Sequence, residues 1–177
     1  MTDRRPRFAY IQRLADGLLD EGGVAKAPVP VERLARLKGC RVVKYDIKDI
    51  SGVLFRSSDD VLIGVNSKHP PQRQRFTIAH ELGHFLLHDG EAVHYDKDYR
   101  VSLRSDLSSA GTDIEEIEAN FFAASLLMPD RFLRGDPRAA EMDVEDGKAI
   151  KTLAGAYGVS AQAMTHRLLR VVARRST

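Results

Sequence analysis

The segment His80-Glu81-Leu82-Gly83-His84 sets two imidazoles four positions apart, with a carboxylate between them. On an α-helix, positions i and i+4 lie about 40° apart and one turn up, so both rings reach one ion. Glu81 is turned from that face by about 100°, which puts its carboxylate beside the ion instead of on it. Zinc with three protein ligands and one water lowers the water's pKa to about 7. A neighbouring carboxylate can then take the proton and pass it to a leaving amine. This is metal-assisted peptide hydrolysis, and the spacing predicts it, with Glu81 as the general base.

Five residues match by chance often enough that the surroundings must carry the reading. Phe76, Ile78, Ala79, Leu82, Phe85, Leu86 and Leu87 flank the motif and predict a buried helix. Two histidines and a glutamate on a surface turn need no explanation; buried and unpaired, each costs roughly 1–3 kcal/mol, so they require partners. Gly83 costs about 1 kcal/mol in a helix interior, which is tolerable where another backbone or a substrate comes close.

A third ligand is needed. His88 continues the i, i+4 series but lies about 12 Å along a straight helix from His80, so it reads as a supporting or helix-end residue. His94 serves only if the chain turns back. Glu118 opens the run Ala119-Asn120-Phe121-Phe122-Ala123-Ala124-Ser125-Leu126-Leu127-Met128, apolar on nearly every face. A carboxylate at the mouth of a buried helix needs a cation, so Glu118 is the expected ligand, with Glu115 as alternate. The opposing reading makes Glu118 a surface residue favoured by the helix dipole.

The elements that must position these groups follow from periodicity. Helices are predicted over 9–19 and 31–37, then three short strands over 41–45, 52–56 and 61–65, the last two joined by a turn at Ser57-Ser58-Asp59-Asp60. Pro70-Pro71 leads into a long helix over 72–88. Residues 88–111 carry only a weak alternation at Val101 and Leu103, and a connection of that length is uncommon in a compact domain unless it covers a site or is simply mobile. Thr112 and Glu115 form a capping box for a helix over 113–128, stopped by Pro129. Two more helices are predicted over 147–156 and 160–172.

At these motifs the sequence resembles the ImmA/IrrE family of bacterial metallo-endopeptidases. The resemblance runs through Arg75-Phe76-Thr77-Ile78-Ala79-His80-Glu81-Leu82-Gly83-His84 with Leu87-His88, and through Glu118 to Pro129. It covers roughly residues 30 to 130. It implies a zincin-like α+β core holding Zn2+ through His80, His84 and Glu118, with Glu81 as base. It also implies a protein substrate, characteristically a helix-turn-helix repressor. The connection Asp89 to Gly111 looks long for the family, and Tyr95, Tyr99, His94 or Arg100 could serve there to stabilise an oxyanion.

The expected architecture is thus α+β, a three-stranded sheet packed on helices over 1–135, followed by a helix-turn-helix-like helical subdomain over 136–177. In the latter, Ala154 and Val159 would pack the turn, while Gln162, Thr165 and His166 face outward. A helical pair packed on the core is favoured over DNA contact. Arg167, Arg170, Arg174 and Arg175 read as a solvated basic tail. With 177 residues, 43% hydrophobic and a formal net charge of +2, the chain lacks a global nucleic-acid signature. Its single cysteine, Cys40, excludes an internal disulfide and any cysteine-based zinc cluster. No stretch reaches the ~18 apolar residues of a membrane span, so a cytoplasmic location is expected. The competing expectation is a binding module in which zinc is structural and the C-terminal helices dock a partner.

Overall fold

Pro70 is extended and Pro71 takes the first helical position, where the missing N–H is no loss, so the long helix α3 runs from Pro71 to Leu87. Every residue from Thr77 to His84 is buried. A helix covered all round must be packed on several sides, and the rest of the chain supplies them. The structure, a computed structural model, describes residues 5–46, 48, 50–89, 92–96, 112–140 and 146–173.

One side is a sheet of β1 (Cys40–Tyr45), β2 (Gly52–Arg56), β3 (Val61–Asn66) and β4 (Val93–Asp96), in the order β1-β3-β2-β4. β1 runs parallel to β3, while β2 is antiparallel to both β3 and β4. The turn between β2 and β3 closes through Ser57, whose hydroxyl oxygen accepts from Asp60 N at 3.0 Å. The sheet has four strands, not the three expected. β4 is four residues long and mostly polar, so its pairing with β2, not any local periodicity, makes it a strand. That pairing sets His94 opposite Leu54. The alternation at Val101 and Leu103 lies outside the described residues.

The other side is α4 (Thr112–Leu127), which crosses α3 at Gly83. A Cβ at Gly83 would stand 3.1 Å from Phe122 Cδ1 and 3.2 Å from both Cα and O of Ala119. The glycine therefore allows a backbone approach, as its cost in a helix interior suggested. The capping box at Thr112 rests on a side chain outside the described residues. α1 (Phe8–Glu21) packs on α4 with Ile11, Ala15, Leu18 and Leu19 buried, and α2 (Val31–Leu37) precedes β1. Cys40 is buried, and burial pushes its thiol up to about 11, so it belongs to the core.

Beyond Pro129 come the short helices α5 (Asp130–Gly135) and α6 (Pro137–Ala140), then α7 (Gly147–Tyr157) and α8 (Ala161–Ala173). Asp146 caps α7 by accepting from Lys148 N and Ala149 N, and Gly158 ends it at φ 65°, where a side chain would be strained. Ala154 and Val159 pack the α7–α8 turn, both buried. Gln162 is exposed, but Thr165 and His166 are half-buried. Arg167 does not belong to a solvated tail. It is buried, donating to Met128 O at 2.9 Å and pairing with Asp130 at 2.5 Å. The cause is position: on α8 it falls on the face carrying Met164, Leu168 and Val171, all buried. Arg75 pins the turn from α3, donating to Gly158 O at 3.0 Å and Val29 O at 2.8 Å. Arg174 and Arg175 lie outside the described residues. Among the described residues no helix is long and apolar enough to cross a membrane.

Candidate metal centre

The helical spacing of His80 and His84 has the expected result: their Nε2 atoms stand 3.0 Å apart. Glu116 of α4 reaches both, with one oxygen 3.3 Å from His80 Nε2 and the other 3.1 Å from His84 Nε2. Ligand atoms of these three residues all lie within 4.8 Å of one another. Two imidazole nitrogens and one carboxylate, converging from two helices in a buried place, suit a divalent ion with an open fourth position.

The far side of each imidazole is also engaged. His80 Nδ1 lies 2.8 Å from Asn120 Oδ1, one helical turn beyond Glu116. An amide oxygen accepts, so His80 carries a proton on Nδ1 and turns Nε2 toward Glu116. His84 Nδ1 lies 3.3 Å from His88 Nδ1.

Glu81 is completely buried. Its Oε2 is 3.3 Å from His94 Nδ1, while Oε1 has no hydrogen-bond partner among the described residues. His94 also touches Glu116, Nε2 to Oε1 at 3.3 Å. These contacts, with Glu116 and then Glu81, push the His94 imidazole up to about 10 against the effect of burial. Burial holds His84 below the usual imidazole range. Burial alone would raise Glu116, but its contacts with His80, His84 and His94 outweigh that and hold it far below the usual carboxylate range. A single carboxylate thus carries negative charge among three rings.

Glu118 is not in this group, contrary to the sequence expectation. Residues 116 and 118 point about 200° apart around a helix, so only one of them can face the histidine pair. The buried carboxylate of Glu118 does have a cation, as its surroundings demanded, but the cation is Arg7. Arg7 N donates to Glu118 Oε1 at 2.8 Å, Nε at 3.0 Å and Nη2 to Oε2 at 2.6 Å. Burial would raise the Glu118 carboxyl, yet Arg7 and His88 bring it down to about 2. Arg7 lies 111 positions away in sequence, beyond any local pattern. One signal pointed to Glu116: it shares a helix face with Asn120 at i, i+4. Glu115, the alternate, is half-buried and outside the group. His94 does return to the site, on β4, but against the two glutamates.

A His-Glu-x-x-His helix laid on a mixed sheet, with an acidic side chain brought in by the next helix, defines a metallopeptidase-type site. The chain belongs to the M78 peptidase family, whose IrrE N-terminal-like domain matches residues 35–169. It is 32% identical over 94 residues to the metallopeptidase ImmA of Bacillus subtilis, covering 52% of this chain and 50% of that protein. It is 34% identical over 115 residues to the radiation response metalloprotease IrrE of Deinococcus radiodurans, covering 60% of this chain and 30% of that one. The chain therefore spans half or less of the length of these curated relatives. A solved Mycobacterium tuberculosis transcriptional regulator shares the fold at a TM-score of 0.60 and 22% identity, over 89% of this chain and 46% of that one.

Proposed function

We propose that this chain is a zinc-dependent endopeptidase that makes a selective cut in a regulatory protein, namely a helix-turn-helix repressor. The observation that carries the reading is the convergence of His80, His84 and Glu116 beside a buried glutamate with one oxygen unpartnered among the described residues. In this reading His80, His84 and Glu116 hold zinc, and Glu118 acts elsewhere. Bound zinc supplies Lewis acidity toward the scissile carbonyl.

The chain's own groups divide the remaining work. Glu81 accepts a proton at Oε1 and later releases it to the departing amine. Asn120 keeps the His80 proton on Nδ1, so that Nε2 stays free to bind. Among the described residues β4 is at one end of the strand order, an edge beside His94 where an extended peptide can add as a strand. A substrate in that form is a protein segment, which supports an endopeptidase over a small-molecule hydrolase. The helical unit of residues 136–177 is assigned to partner selection in the cytoplasm and not to DNA contact, because Arg167 and Arg75 are committed to the core.

Incubation with candidate helix-turn-helix repressors from the same genome, with and without chelator, tests the proposal. Discrete fragments are expected from the zinc-loaded protein and none from Glu81→Gln, which should still hold zinc by metal analysis. Cutting by Glu81→Gln at the wild-type rate would remove Glu81 from its role. A wild-type protein that binds one of these repressors without cutting it would favour a binding module with structural zinc.

A further inference from the structure

We propose that Arg7, Glu118 and His88 form a hydrogen-bonded relay that fixes the tautomer and aim of His84. The relay rests on the reading of His84 as a zinc ligand. It assigns a task to Glu118, a buried carboxylate outside the ligand group, and to His88, which lies just past the end of α3.

With one proton on each imidazole, hydrogen bonding leaves one arrangement. Glu118 accepts three N–H groups from Arg7 while its Oε2 stands 3.1 Å from His88 Nε2. A carboxylate only accepts, so His88 carries its proton on Nε2. The Nδ1 of His88 then bears a lone pair and accepts from His84 Nδ1, 3.3 Å away. A proton on His84 Nδ1 leaves Nε2 as the binding atom, and Nε2 is the atom that faces His80 and Glu116. Read from residue 7 inward, each acceptor determines the next donor. His84, His88 and Glu118 are 3%, 7% and 2% exposed, so water does not compete for these bonds.

The helix end is pinned from outside as well. Arg7 Nη2 donates to Leu87 O at 3.1 Å, and Arg56 of β2 donates to His84 O at 2.8 Å and His88 O at 3.3 Å. The two ligand histidines are thus held by different devices. An amide on α4 holds His80 in one step, and an imidazole backed by an ion pair holds His84 in two. Groups that orient a ligand in this way typically change metal affinity 10–100-fold when lost, by roughly the same range in many sites.

Zinc alone is the probe, with dissociation constants read by chelator competition. Phenylalanine keeps the bulk of His88 but cannot accept a proton, so His88→Phe is expected to weaken zinc roughly 10–100-fold. Glutamine carries an acceptor oxygen and a donor nitrogen, so His88→Gln is expected to restore near-wild-type affinity. Folding of both is checked by circular dichroism. The wild-type protein gives an independent reading by 15N NMR of the zinc-loaded imidazoles: His88 protonated on Nε2 and His84 on Nδ1. Unchanged affinity in folded His88→Phe, equal losses in both variants, or His88 protonated on Nδ1 would overturn the relay alone. Absence of zinc binding in the wild type would overturn the site reading and the relay together. Should His88→Phe fail to fold, the wild-type tautomers decide.

Discussion

The α3–α4 pair and the α7–α8 pair join one continuous apolar core, yet only the first also buries a cluster of ionisable side chains. Between and around α3 and α4 lie His80, Glu81, His84, His88 and Glu118, all buried, with helices brought close by Gly83. Between α7 and α8 lie Ile150, Leu153, Ala154, Tyr157, Met164 and Leu168, and the charged intruder Arg167 is paired on arrival. Burying polar groups without partners costs roughly 1–3 kcal/mol each. The first pair accepts that risk and meets it with a network; the second avoids it. Polar burial marks chemistry here, and apolar burial marks attachment.

The sharpest way to break this contrast is Glu81→Gln. Cleavage should fall by about 10²–10⁴-fold, the usual span for loss of a general base, with zinc content unchanged. Next come the two glutamates of α4. Glu116→Ala should weaken zinc by more than the ~100-fold upper end seen for groups one step removed from a metal, and Glu118→Ala by less, both read by chelator competition. Equal losses would erase the distinction between a ligand and a residue behind one.

On the attachment side, Arg167→Ala removes the bonds that Arg167 gives to Asp130 and to the Met128 carbonyl. Thermal or urea unfolding should show a loss of about 3 kcal/mol, as for a broken buried pair, with zinc affinity of the folded protein unaltered. The smallest effect concerns Asp136, held below the usual carboxylate range chiefly by Arg138. A depressed carboxyl contributes stability that is present above its unfolded pKa and lost as pH falls through the folded one. Asp136→Asn should therefore flatten the acid limb of a stability–pH curve, by about 1 kcal/mol or less given its exposed partner.

Legibility in the sequence divides along the same line. His80, Glu81 and His84 lie within about one helical turn, so spacing alone set their geometry, and the α7–α8 turn was readable from Ala154 and Val159. Strands β1, β2 and β3 carry enough apolar residues to announce themselves, whereas β4 owes its existence to β2. The expectation fell on Glu118, whereas Glu116 meets the histidine pair, because a buried glutamate needs a cation and nothing local distinguishes a metal from an arginine in a distant segment. Arg167 was misread for the mirror-image reason: its carboxylate partner lies 37 positions away.

Gly83 has a practical consequence for mapping this protein. It is not one of the ligand group, yet a side chain there would press on Ala119 and Phe122 of α4, the helix that brings Glu116 and Asn120 to the histidines. A saturation scan scored only by proteolysis would rank position 83 beside His80 and His84. Scored in parallel for folding and for zinc uptake, the same scan would separate the gauge between two helices from the groups that it brings into range.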